Sequence, residues 1–143
     1  MIALRFSVEG RALPKGSTRA FIPKGWTRAV VTANNPRTKV WEQQVRSAAI
    51  AHVVGELKRS PEGGAFRVVL RFVLPRPKRL KHASPHTKRP DVDKLARCIL
   101  DALTGVVWLD DSQVVSMRAA KRYARQEEPA RVDVYVTGGL DGG

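Results

Sequence analysis

The chain has 143 residues and carries 26 Lys and Arg against 13 Asp and Glu, a formal net charge of +13. This length suits a single domain that buries a core without covalent staples, and this charge suits a polyanionic partner. The lone Cys98 excludes an internal disulfide and paired-cysteine zinc, and no apolar run approaches the ~18 residues of a membrane span.

The start, Met1-Ile2-Ala3-Leu4-Arg5-Phe6, is too short and too soon charged to read as a signal peptide, and the single cysteine fits a reducing cytoplasm. Residues 2–8 alternate Ile2, Leu4, Phe6 and Val8 against Ala3, Arg5 and Ser7, the pattern of a half-buried strand. Between Phe21 and Val31 the break Pro23-Lys24-Gly25 suggests a short hairpin or an ordered loop. A helix is expected over residues 36–57, its apolar stripe passing through Trp41, Val45, Ala48, Ala49 and Val53 at steps of three and four. Pro36 suits its first turn, and His52 lies at the rim of the stripe, a packing position rather than a ligand. Residues 65–74 repeat the strand pattern, with Phe66, Val68, Leu70, Phe72 and Leu74 on one side and Arg67 and Arg71 on the other.

Residues 75–90 hold four prolines and six cations and read as a loop. A second helix is expected over residues 93–103, burying Leu95, Ala96, Ile99, Ala102 and Leu103 and ending at Gly105, with Cys98 as inert packing beside the stripe. Residues 114–123 make a weaker strand, through Val115, Met117, Ala119 and Tyr123, and residues 131–136 a clearer one, through Val132, Val134 and Val136. No repeat is visible. Residues 1–137 are expected to form one domain, followed by a flexible glycine-rich tail over 138–143. The order predicts an α+β fold: a small mixed sheet of about four strands with two helices on one face.

Charge is unevenly placed. From Gly10 to Trp41 there are seven Lys or Arg and no acid, and from Gly63 to Pro90 eight more, again with no acid. Such stretches are the footprint of nucleic-acid binding. An anionic membrane fits less well, because no basic segment has a clean apolar helical face. An RNA-binding module is disfavoured by the lack of alternating stacking aromatics.

Against this field, five of the thirteen acids fall between Asp91 and Asp111. Carboxylates that hold Mg²⁺ against a phosphate backbone account for such a placement. Asp91 and Asp93 would diverge by about 200° on a continuous helix but point the same way in extended backbone. Pro90 biases its neighbour away from helix, so both acids are expected at a loop-to-helix boundary, converging on one ion. One of them, Asp93 for preference, could instead cap the helix. Asp111 can reach the same place, since a helix over 94–103 rises about 15 Å and the return from Gly105 spans up to roughly 20 Å if extended. A hydrogen-bonded turn at Asp110-Asp111-Ser112 is equally open. Asp101 lies four residues after Arg97 and suits a surface ion pair with it.

The runs Arg89-Pro90-Asp91-Val92-Asp93-Lys94-Leu95, Ile99-Leu100-Asp101-Ala102-Leu103-Thr104 and Asp110-Asp111-Ser112-Gln113-Val114-Val115 resemble the RusA-type Holliday junction resolvases. The opening Val8-Glu9-Gly10-Arg11-Ala12-Leu13-Pro14-Lys15-Gly16 is similar to that family's start. The likeness is dense over residues 89–115 and looser across the remainder of residues 4–136. It implies a homodimeric, Mg²⁺-dependent endonuclease (Mn²⁺ may substitute) that nicks four-way junctions symmetrically, in a family often carried by phages and prophages. It also implies that Asp91, Asp93 and Asp111 form the metal site. Where the family commonly has Asn after the second acid this chain has Lys94, and where some members carry a lysine six residues after the first acid it has Arg97.

Lys94 or Arg97 is then expected to neutralise charge building on the phosphoryl oxygens. Lys15, Arg19, Arg76, Lys78, Arg79, Lys81, Lys88 and Arg89 are expected to hold the DNA backbones. His86 reads as a loop histidine or, less simply, a phosphate contact. Trp26 and Trp108 are candidates for stacking on splayed bases, although aromatics more often serve a core. The rival readings are a nuclease for other branched or flapped DNA and a non-catalytic basic DNA-binding module whose acids are caps and turns.

Overall fold

A computed structural model of the chain describes residues 2–16, 19–22, 24–28, 30–32, 36–53, 64–80 and 84–140. The elements are β1 (Ile2–Glu9), β2 (Arg19–Phe21), β3 (Val30–Thr32), α1 (Pro36–Val53), β4 (Ala65–Leu74), α2 (Val92–Leu103), a 3₁₀ turn at Asp111–Gln113, β5 (Val114–Tyr123) and β6 (Arg131–Leu140). Four strands form a mixed sheet in the order β1-β6-β4-β5, and β2 pairs with β3 as a separate hairpin. β6 runs antiparallel to both β1 and β4, whereas β5 runs parallel to β4. The fold is the α+β architecture expected, and the expected hairpin between Phe21 and Val31 is present. The expected end of α1 at residue 57 lies outside the described residues.

The period-two pattern decides which face is buried. Leu4 and Phe6 of β1, Val132, Val134 and Val136 of β6, and Phe66, Val68, Leu70, Phe72 and Leu74 of β4 are all buried. They share one core with Trp41, Val45 and Ala49 of α1 and with Leu95, Ala96, Cys98, Ile99, Ala102 and Leu103 of α2. The opposite face is mostly solvated, with Val73 buried as an exception, and there the guanidinium carbons of Arg5 and Arg71 lie 5.0 and 5.7 Å from the centre of the Tyr135 ring. Trp108 is 1% exposed and packs on Phe66 with ring centroids 5.5 Å apart. Its indole N–H donates to Thr104 Oγ1 at 3.0 Å. It belongs to the core and is unavailable for stacking on bases, whereas Trp26 is 61% exposed.

β5 departs from a simple alternation. Its register against β4 shifts between Phe66 and Arg67, where Val114 and then Ser116 are the paired residues. Val115 is the extra residue of this bulge, which puts it out of the buried set expected of it and leaves it 63% exposed. Beyond the bulge, Met117, Ala119, Lys121 and Tyr123 stand opposite Val68, Leu70, Phe72 and Leu74 and therefore share the helix-facing side. The connection to β6 is tied by Glu128, whose carboxylate accepts from Arg122 at 2.6 Å and from Arg131 at 3.2 Å. Those contacts, Arg122 first, hold Glu128 far below the ordinary carboxylate range.

β6 runs past residue 137, and residues 141–143 of the expected tail lie outside the described residues. β6 continues to Leu140, with Gly138 opposite both Ile2 and Phe66. The register shifts again between Ala65 and Phe66, and Gly138 takes φ 126° at that point. A Cβ on Gly138 would lie 2.1 Å from the Ala65 carbonyl oxygen. Glycine is required twice over, by backbone angle and by space. Gly138→Ala should therefore cost about 1–3 kcal/mol, as overpacked substitutions do, and lower Tm by roughly 3–10 °C. Thermal melts of the two proteins check this, and an unchanged Tm would mean that Gly138 is not held in the sheet.

Candidate active site

Two connections position the candidate residues. α2 begins at Val92 with Asp91 as its N-cap, in extended backbone (φ −71°, ψ 140°) and with no side-chain capping bond. Asp91, not Asp93, is thus the cap residue, and Asp93 falls in the first turn of the helix. The helix starts too early for both acids to share an extended stretch. The Asp91 side chain is 57% exposed and lies 3.8 Å from Lys94 Nζ. At the far end of α2, Gly105 takes φ 85° and turns the chain back. There Arg46 of α1 donates to the carbonyls of Thr104 at 2.9 Å and Ala102 at 3.5 Å.

The return segment ends in the 3₁₀ turn. Asp110 is its N-cap and accepts from the Ser112 N–H at 2.8 Å, and that bond, first among its partners, lowers the Asp110 pKa. Gln113 reaches back with Oε1 to the N–H groups of Leu109 and Asp110 at 2.9 and 3.1 Å, completing a capping box. Asp110 is explained by its turn. Asp111, the first residue inside it, is exposed and does no capping.

Asp93 and Asp111, eighteen residues apart in sequence, line one cleft of about 660 Å³ with Lys15, Gly16, Lys94, Arg97, Leu100, Asp101 and Met117. Of the acids expected to converge, the structure brings Asp93 and Asp111 into one lining, and Asp91 stands outside it. Arg97 is exposed. Its expected ion pair with Asp101 is replaced by another, because Lys15 Nζ sits 3.2 Å from Asp101 Oδ2 and 3.2 Å from Glu42 Oε2. Among the described residues Arg97 has no carboxylate within ion-pair distance. A cavity of about 710 Å³ between residues 75–80 and 124–130 lacks such a pairing of distant carboxylates, since Glu128 is held by Arg122 and Arg131.

Of the cations expected to hold DNA, Lys78, Arg79, Lys88 and Arg89 are exposed on the segment joining β4 to α2. Arg76 instead turns inward, donating through Nε and Nη2 to the Leu80 carbonyl at 3.1 and 2.7 Å. Lys15 lines the cleft and is committed to the carboxylates of Asp101 and Glu42. Arg19 lies in β2, and Lys81 lies outside the described residues. Lys88 and Arg89 line a second cleft of about 400 Å³ with Arg11, His86 and Tyr123. His86 packs against Tyr123 with ring centroids 4.3 Å apart, and burial, helped by nearby Lys121, lowers its pKa. His52 stacks on Phe6 at 5.3 Å and bonds the Ala48 carbonyl, the core-rim role expected. Cys98 is buried, and burial pushes its thiol up to about 12, so it is inert.

Sequence reasoning expected Lys15 on DNA and missed Lys121 altogether. Lys15 of the glycine-proline loop enters the cleft, and Lys121 of β5 donates to the carbonyls of Lys88 at 2.6 Å and Pro90 at 2.9 Å. The signal for Lys121 was its place in line with Met117, Ala119 and Tyr123, a charge on the side of a strand that otherwise turns to the core.

Among the described residues, no three His, Cys, Asp or Glu side chains are grouped as a ready cage for a metal ion. The donor chemistry still fits Mg²⁺, which takes one or two carboxylates and completes its shell with water and substrate phosphate oxygens. Asp93 and Asp111 offer that number. Carboxylates from two distant segments, set among cations in one cleft of a basic α+β domain, are compatible with phosphodiester chemistry on DNA. Residues 12–137 match the family described as Endodeoxyribonuclease RusA, and the chain belongs to that family of DNA-cleaving hydrolases. It is also similar to an uncharacterized protein, YqaN, of Bacillus subtilis (strain 168), 29% identical over 144 residues that span 95% of this chain and 96% of that one. No helix is long and apolar enough to cross a membrane among the described residues.

The Lys15 contacts carry a pH signature. Burial opposes its charge, but bonds to Asp101 and Glu42 outweigh this and raise its pKa above 10.5. A raised lysine stabilises the fold fully below its unfolded pKa and ceases to do so only as pH rises through the folded value. Lys15→Met should lower stability by about 1 kcal/mol, the scale of partly exposed pairs. The deficit should be equal at about pH 7 and about pH 9; melts in which the gap has closed by the higher pH would contradict this assignment.

Proposed function

We propose that the protein is a Mg²⁺-dependent, structure-selective endonuclease that resolves four-way DNA junctions by paired symmetric nicks, acting as a homodimer in the cytoplasm. The observation that carries this reading is the shared cleft of Asp93 and Asp111 beside Lys94 and Arg97, in a chain of the RusA endodeoxyribonuclease family. Asp93 and Asp111 would hold the ion, with Asp91 completing the set from the adjoining N-cap, and Mn²⁺ could replace Mg²⁺. When bound, the ion would supply charge at the scissile phosphate and a water of lowered pKa.

The chain's own groups do the rest. Arg97 offers a guanidinium with no carboxylate partner among the described residues, suited to phosphoryl oxygens as their charge grows. Lys94 is partly engaged by Asp91 at 3.8 Å and is the weaker candidate. The exposed Lys78, Arg79, Lys88 and Arg89 would hold DNA backbones without reading sequence. A two-fold protein would match the two-fold junction and place two identical sites for paired incisions. The alternative of a non-catalytic module accounts for Asp91 and Asp93 at the N-terminus of α2 and for Asp110 as a turn residue, but gives no reason for Asp93 and Asp111 to share one cleft without a cation partner among the described residues.

Asp91→Asn, Asp93→Asn and Asp111→Asn should each abolish nicking while junction binding stays intact or tightens, because each change removes a metal ligand and also a repulsion against phosphate. Gel shifts and Mg²⁺-dependent cleavage of four-way, flap and linear DNA test this together. Near-normal cutting by the Asp93 or Asp111 variant would overturn the site, and equal cutting of all three DNAs would overturn junction selectivity. Asp101→Asn should be far milder, acting through the Lys15 contact.

Arg97→Ala should slow cleavage on the order of 10²-fold with little change in Tm, and Arg97→Lys should retain much of the activity. A full-rate Arg97→Ala protein would return Arg97 to the helix surface and leave Lys94 as the charge-neutralising group.

A further inference from the structure

Lys121 stands opposite Phe72 of β4, on the helix-facing side of the sheet, in the strand at its edge. Its ammonium donates to the carbonyls of Lys88 at 2.6 Å and Pro90 at 2.9 Å. Both carbonyls belong to residues 84–91, which form no helix or strand, so no strand neighbour or helical turn can satisfy them. Pro90 directly precedes Asp91. Two residues further along β5, on the same side, Tyr123 packs against His86 of that segment with ring centroids 4.3 Å apart. The chain that delivers the first two acids of the site thus rests on two side chains of one strand.

That strand is also the one that follows Asp111, since Val114 opens β5 immediately after the 3₁₀ turn. β5 is continuous with the third acid at its beginning and holds the approach to the first two near its end. An ammonium has three donors and no acceptor; here two donors are engaged by main-chain oxygens. Among the described residues no carboxylate lies within ion-pair distance of Lys121, and the side chain is half-buried. A surface ion pair and a free phosphate contact both fit this poorly.

We propose that Lys121 is a positioning residue of the nuclease site, a tether that fixes the segment entering Asp91 against the strand that leaves Asp111. The inference rests on the nuclease reading of the cleft. Catalytic groups displaced by a fraction of an ångström lose rate steeply, and residues that orient metal ligands typically matter 10–100-fold in metal affinity or activity. The tether acts on the acids through the backbone and touches no substrate.

The test uses the full chain with Lys121→Met and Lys121→Arg. Lys121→Met should nick four-way junctions about 10–100-fold more slowly at limiting Mg²⁺ and need more Mg²⁺ for half-maximal rate. Its junction affinity without Mg²⁺, and the salt dependence of that affinity, should match wild type. Lys121→Arg, which can still bridge two carbonyls, should recover a large part of the rate. In metal-free protein, hydrogen exchange of Lys121→Met should quicken at amides of residues 84–95, with β4 and β6 as protected as before.

Wild-type nicking by Lys121→Met would overturn the proposal. So would a loss of junction affinity with the salt slope reduced by about one charge, the mark of a phosphate contact. Faster exchange spread evenly over β4 and β6 would reduce Lys121 to a general stabiliser of the fold and equally overturn it. Should wild-type protein cut no DNA, the nuclease reading fails, whereas the exchange measurement still decides whether Lys121 tethers the segment.

Discussion

Parallel strands cannot be joined by a tight turn, and the pairing of β4 with β5 in that sense obliges the chain to cross back before β5 can begin. α2 makes that crossing, and everything proposed for the cleft follows from it. The segment entering α2 carries Asp91 and Asp93, and the segment leaving it carries Asp111. One helix, packed by six buried side chains from Leu95 to Leu103, therefore brings carboxylates eighteen residues apart in sequence to one lining. Had β5 paired antiparallel to β4 through a hairpin, no helix would lie between them.

Placing acids in a chain of charge +13 is then a matter of which carboxylates are already neutralised. Lys15 sits between Glu42 and Asp101, Arg122 and Arg131 enclose Glu128, and Asp133 accepts from Ser7 and Arg131. Asp93 and Asp111 have no cation within ion-pair distance among the described residues. The cleft therefore presents carboxylates beside an unengaged guanidinium, a combination that suits an ion and a phosphate arriving together better than either alone.

Much of this was legible in the residues. Strands β1, β4 and β6 declare themselves because one face is buried and the other solvated, which writes the period into the sequence. β5 is muted by its edge position, and its bulge at Val115 slips the alternation by one residue, which no period-two pattern can anticipate. The acids Asp91 and Asp93 stand out by contrast with the surrounding cations, but which of them caps α2 does not follow from the residues. Capping preference ranks both positions alike, and only the starting point of the helix separates them. Lys15, Arg76 and Lys121 share one lesson. Counted as charge they belong to a basic surface, yet each is turned toward a carboxylate or a carbonyl of its own chain. Composition records how many cations exist and is silent on which way they face. Trp108 fits the same account, since its apolar bulk follows from type but its place in the core follows from the return after Gly105.

The bonds from Arg46 to the last carbonyls of α2 have an electrostatic meaning for that helix. Aligned peptide dipoles leave roughly half an elementary charge at each terminus, positive at the first turn and negative at the last. A guanidinium on the Ala102 and Thr104 oxygens offsets the negative end, and Asp91 at the N-cap with Asp93 in the first turn sit at the positive end. Each charge is therefore placed with the helix dipole, the cation on the last carbonyls and the acids beside the first N–H groups. α1 thus closes one end of α2 with a cation, while the chain entering the helix supplies the acids at the other.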